Sequence, residues 1–110
     1  MHISIKNIRF HYIYRDAANY KQYGSVIFSN PNQLSLETIK EQMNEVLIDQ
    51  EYFIPWVCKI PLIHSFAFDP ELDHEWYEID YLEETNDPLT DDRNINTFIE
   101  DIKNGNFYTK

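Results

Sequence analysis

The 110-residue sequence predicts one α+β domain, a two-layer sandwich of a mostly antiparallel four-stranded sheet with two helices on one face, in the order β-β-α-β-β-α. Three observations predict it. Apolar and polar residues alternate through residues 8–15 and again near 75–83, and a period of two marks a half-buried strand. Apolar residues recur at helical spacing through residues 35–48 and from residue 95 onward. Aromatic side chains make up 15% of the chain, far from the composition of a disordered segment, and they supply surface for a core.

Each element has its own signal. In IRFHYIYR (8–15), Ile8, Phe10, Tyr12 and Tyr14 share one face, and Arg9, His11, Ile13 and Arg15 share the other. The polar stretch DAANYKQYG (16–24) reads as a loop and SVIFS (25–29) as the second strand of a hairpin. Pro31 between two asparagines ends it, since proline cannot donate to a ladder. Ser35 is the expected cap of the first helix, with Leu34 and Ile39 placed as a hydrophobic staple. Its buried stripe is Leu36, Ile39, Met43, Val46 and Leu47, while Glu37, Glu41 and Glu45 form an outer acidic column.

The following segment carries Pro55 and Pro61 and reads as a loop to about Pro61, then a strand near 62–68. A turn at 69–73 leads to a strand at 75–83. There strict alternation sends Tyr77, Ile79 and Tyr81 one way and Trp76, Glu78, Asp80 and Leu82 the other. Residues 86–92 read as an acidic loop. Asp92 or Asn94 then caps a helix whose stripe is Ile95, Phe98, Ile99 and Ile102, with Lys103 suited to its C-terminal dipole and Gly105 to its stop.

Charge is segregated along the chain. Residues 1–24 hold four basic residues and one acid, whereas the rest holds five against eighteen. Eleven of the acids fall in residues 69–92, which contain no Lys or Arg and are threaded with Trp76, Tyr77, Ile79, Tyr81 and Leu82. A net charge of −10 argues against direct binding to nucleic-acid phosphates or an anionic membrane and favours a basic protein partner. The cationic face of the first strand is complementary to Glu78 and Asp80, so part of the ridge is expected to pair across the sheet. The remainder would be a solvated face or a docking surface.

Other chemistries find little support. Two glycines cannot build a glycine-rich phosphate loop. The lone Cys58 rules out an internal disulfide and, in its apolar setting, reads as a buried inert thiol. Neither a signal-peptide core nor a membrane-length apolar run is evident, and a cytoplasmic location is expected. Asp69, Glu71, Asp73 and Glu75 alternate like cation ligands, but the sixth position of a calcium loop would be His74 where glycine is needed. His64, Asp73 and His74 could hold zinc, although their spacing is not diagnostic. Arg15, Asn19, Tyr20 and Lys21 could grip a small anion or peptide. Carboxylates this dense form pairs by chance, and no Ser, His and Asp spacing stands out, so no catalytic residue and no cofactor is assigned.

The strings YRDxxNYKxYG and VxFSNP (Tyr14 to Pro31), LSLE (34–37) and DPELDHEW (69–76) resemble a set of small uncharacterised bacterial proteins. The resemblance covers about two thirds of the chain and implies a bacterial, accessory context, with no activity, cofactor or site residue attached. The reading favoured by the residues is a non-enzymatic acidic protein-binding module, such as an immunity protein or inhibitor that masks a basic toxin, nuclease or defence protein. Its expected contacts are Asp73, Glu75, Trp76, Glu78, Asp80, Glu83 and Glu84. The alternative is a small-ligand or metal-dependent enzyme using the 15–21 loop or the His64, Asp73 and His74 group. A subunit that dimerises through its open sheet face is a third expectation.

Overall fold

The computed structural model describes residues 6–15, 20–55, 58–61 and 76–105. Its elements are strand β1 (Asn7–Arg15), strand β2 (Lys21–Phe28), helix α1 (Leu36–Val46), strand β3 (Tyr52–Phe53), strand β4 (Tyr77–Thr85) and helix α2 (Ile95–Gly105). The strands form one antiparallel sheet in the order β2-β1-β4-β3. This is the expected α+β architecture. Buried residues of both helices join the same core as one face of β1, so both lie on that side.

Strand β1 organises the core. Ile8, Phe10, Tyr12 and Tyr14 are at most 2% exposed, while the residues between them are half-buried on the opposite face. Phe10 meets Phe53 and Phe98 edge-on at 5.3 and 5.0 Å, and Phe28 stacks on Phe98 at 4.4 Å. These offset and edge-to-face geometries are the ones aromatic quadrupoles favour. From the helices come Ile39 and Met43 of α1 and Ile95, Phe98 and Ile102 of α2, all buried.

The caps follow the sequence. The Thr38 amide donates to Ser35 Oγ at 3.1 Å, and the Thr97 amide donates to Asn94 Oδ1 at 2.8 Å, so Asn94 and not Asp92 caps α2. Asn30, only 3% exposed, satisfies its own amide by donating to the Leu34 carbonyl and accepting from the Leu34 amide. That closes the Pro31 turn, where Gln33 adopts φ 53°.

Three expectations change. Strand β2 begins at Lys21, so residues 21–24 belong to a ladder (Tyr12 opposite Gly24, Ile13 opposite Tyr23) and not to a loop. Their polarity reflects an exposed edge strand; residues 16–19 of the expected loop lie outside the described residues. A third strand sits at Tyr52–Phe53, inside the stretch read as a loop, and the strand expected near 62–68 lies outside the described residues. Two residues are too few to show alternation. Asp49 and Gln50, at φ 52° and 63°, turn the chain so that the Ile48 and Tyr52 backbones exchange hydrogen bonds of 2.8 and 2.9 Å.

The third change alters which side chains reach the surface. His11 faces Tyr81 but the next residue, Tyr12, faces Ile79, so β4 carries a bulge at Asp80. One extra residue inverts the alternation beyond it. Tyr77 and Ile79 pack toward the helices, as expected, but Leu82 now joins them and Tyr81 moves to the open face.

Gly24 is fixed by packing, not by backbone conformation. A Cβ there would lie 2.7 Å from Tyr12 Cζ and 2.8 Å from its Cε2 and Oη. The ring has little room to retreat, because it stacks on Tyr77 at 5.8 Å and its hydroxyl donates to the Pro61 carbonyl at 3.2 Å. Gly24→Ala is therefore expected to destabilise the fold by about 1–3 kcal/mol, the usual cost of overpacking. Urea unfolding checks this, and an unchanged midpoint would contradict it.

Candidate functional site

The open face of the sheet holds the odd-numbered residues of β1. There Arg15 Nε donates to Glu78 Oε2 at 3.1 Å, and Arg9 Nη1 donates to Glu83 Oε1 at 3.3 Å. Arg9 also pairs with Asp87, and the Asn7 side-chain amide donates to the Asp87 carbonyl at 2.9 Å. His11 Nε2 sits 3.0 Å from Glu83 Oε1 while its ring stacks on Tyr81 at 4.0 Å. The strand register causes this arrangement, since it lays a cationic row beside an acidic one. Each exposed pair is worth at most about 1 kcal/mol, but together they cancel much of the acidic charge on this face.

The expected contact residues therefore separate into groups. Glu78 and Glu83 are engaged by Arg15, Arg9 and His11. Asp80 and Glu84 are exposed and, among the described residues, form no ion pair. Trp76 is 42% exposed beside Tyr52, and Tyr81 is 50% exposed. Asp73 and Glu75 lie outside the described residues, as do Asp69 and Glu71.

Among the described residues, the outer edge of β4 is paired only at its beginning. β3 reaches only Tyr77 and Glu78, with one further bond from the Ile79 amide to the Glu51 carbonyl at 2.9 Å. Beyond it, α1 and β4 flank a groove of about 370 Å³ lined by Leu36, Glu37, Lys40, Ile79, Asp80 and Leu82, among others. Among the described residues the site thus combines an unpaired stretch of backbone, an apolar floor and two carboxylates without an ion pair.

The alternative sites are less complete. Arg15 is committed to Glu78, Tyr20 is 73% exposed, Lys21 is exposed at the start of β2, and Asn19 lies outside the described residues. His64 and His74 lie outside them too. Among the described residues no group of three His, Cys, Asp or Glu side chains is placed to hold a metal. No helix among them is long and apolar enough to cross a membrane. Comparison with protein-family models, curated proteins and solved structures finds no match to this chain.

One cluster escaped the sequence reading. All five N–H donors of Arg93 find acceptors: Nε and Nη2 on the Asp91 carboxylate at 2.9 and 2.8 Å, Nη1 on Asp101 at 2.9 Å and on the Cys58 carbonyl at 2.6 Å, and Nη2 on the Lys59 carbonyl at 3.1 Å. The guanidinium also lies over the Phe28 and Phe98 rings at 5.4 and 5.3 Å. Such a saturated, mostly buried arginine is a clamp between loops and not a free ligand site. Its only sequence signal was a lone arginine at the end of an acidic run.

Hydrogen bonding from Arg93 holds the Asp91 carboxyl below its ordinary value. The folded chain therefore binds that proton less readily than the unfolded chain. The resulting stability is present above a pH of about 4 and is lost as pH falls through the depressed value. Asp91→Asn is expected to flatten the acid limb of the stability–pH profile, and an unchanged acid limb would contradict it. Arg93→Met is expected to cost about 3 kcal/mol or more in urea unfolding, because it strands two carboxylates.

Cys58 is fully buried, its thiol donates to the Ile54 carbonyl at 3.3 Å, and burial pushes it up to about 12. It should resist a thiol-alkylating reagent at mildly alkaline pH and react promptly once urea unfolds the chain. Rapid labelling of the folded protein would show the burial to be wrong.

Proposed function

We propose that this chain is a non-enzymatic acidic module that binds a basic protein, in the manner of an immunity protein or inhibitor masking a toxin, nuclease or defence protein. The observation that carries the reading is the selective neutralisation of β4. Glu78 and Glu83 are matched within the chain, whereas Asp80 and Glu84 of the same strand stand exposed; Tyr81 is exposed on the open face and Trp76 just before the strand begins. Nine residues of β4 are held in a sheet, so these groups are presented on a rigid support. Uncompensated carboxylates steer a basic partner toward the surface, and aromatic side chains provide anchors once it arrives.

Affinity capture from a bacterial extract tests the reading, with Asp80→Lys/Glu84→Lys as the comparison. A basic protein should be retained at low salt and released at high salt, and retention by the double variant should fall about tenfold or more. Retention indifferent to both salt and the substitutions would contradict it.

A further inference from the structure

We infer that the outer edge of β4 receives an extended basic segment of the partner as a fifth strand. This rests on the proposed protein-binding role and specifies how the partner docks. Residues Asp80–Thr85 continue past the end of β3, leaving six residues of strand whose outer side no described element covers. At about 3.3 Å per residue that is roughly 20 Å of template, enough for a segment of five or six residues. Main-chain groups along such an edge supply affinity, and alternate side chains of the incoming strand supply specificity.

The surroundings say which segment fits. Side chains turned toward the helices would lie over the groove between β4 and α1, meeting Leu36, Ile79 and Leu82. Among the described residues the same rim carries Asp80 and Glu37 against one cation, Lys40, with Glu84 exposed further along the strand. Aliphatic residues alternating with Lys or Arg match both properties.

Charge also decides against a second copy in that place. Two β4 edges paired about a twofold axis would bring Asp80 and Glu84 of each molecule near those of the other, and like charges facing across strands are destabilising. The whole chain carries −10, which adds to the repulsion. The acids and the bulge thus guard the edge against self-association while leaving it open to a cationic strand.

A blocked hexapeptide of alternating Lys and Val, titrated into the full chain, tests this, alongside the same peptide N-methylated at every second amide. The parent peptide should slow exchange of amides between Asp80 and Thr85 by about tenfold or more. N-methylation, or Asp80→Lys/Glu84→Lys in the protein, should each weaken binding by about tenfold or more. Equal binding of both peptides, still weakened by the double variant, would overturn strand addition while leaving the acidic-module reading standing. If neither peptide binds, strand addition fails, and the capture experiment separately decides the broader reading. A mass that grows with concentration in light scattering, and reverts in the double variant, would assign the edge to a second copy and overturn the inference.

Discussion

The pairing of β1 with β4 is the constraint from which the surface of this protein follows. One register places Phe10 beside Leu82 in the core and Arg9 beside Glu83 on the open face. Because side chains alternate across a strand, the pairing that buries Ile8, Phe10 and Tyr12 also commits Arg9, His11 and Arg15 to face the acids of β4. Core formation and charge neutralisation are thus one choice. The negative charge of the open face is reduced by its own neighbour, while Asp80 and Glu84 have no ion pair among the described residues.

The bulge at Asp80 is where packing and surface chemistry meet. Without it, Tyr81 would point at the helices and Leu82 at solvent. With it, Tyr81 stacks on His11, Leu82 completes the apolar floor beside α1, and Asp80 is exposed on the lining of the groove. A bulge also raises local twist and terminates regular pairing, in keeping with the β3–β4 ladder reaching no further along β4 than Glu78. The clamp around Arg93 supports this arrangement from the opposite side of the sheet. It fixes the loop that leaves β4, whose Thr90 and Asp91 amides bond to the Ile27 carbonyl on the outer edge of β2. One edge of the sheet is therefore partly covered by the chain itself, and no described element pairs with most of the outer side of β4.

Much of this was legible in the residues. Strict alternation marked β1 and its two faces, the Ser35 cap and the stripe Ile39–Met43 marked α1, and Ile95, Phe98, Ile99 and Ile102 marked α2. The complementarity of Arg9, His11 and Arg15 with the acids of β4 could be anticipated, although the partners differ: Glu83 takes the place expected of Asp80. What escaped has physical causes. A bulge leaves no compositional trace, so the facing of Tyr81 and Leu82 could not be read from alternation. A two-residue strand has no period. The left-handed Asp49 and Gln50 carry no glycine to announce a turn. The Arg93 cluster joins residues 58, 59, 91 and 101, brought together only by the tertiary fold.

The account depends on residual negative potential lying along the outer side of β4 and not across the open face. Paramagnetic relaxation of backbone amides by a cationic and an anionic nitroxide, compared residue by residue, measures that potential directly. The ratio of cationic to anionic enhancement should be clearly higher for amides of residues 80–84 than for those of Arg9, His11 and Arg15. Equal ratios at the two places, or a higher ratio along β1, would contradict it.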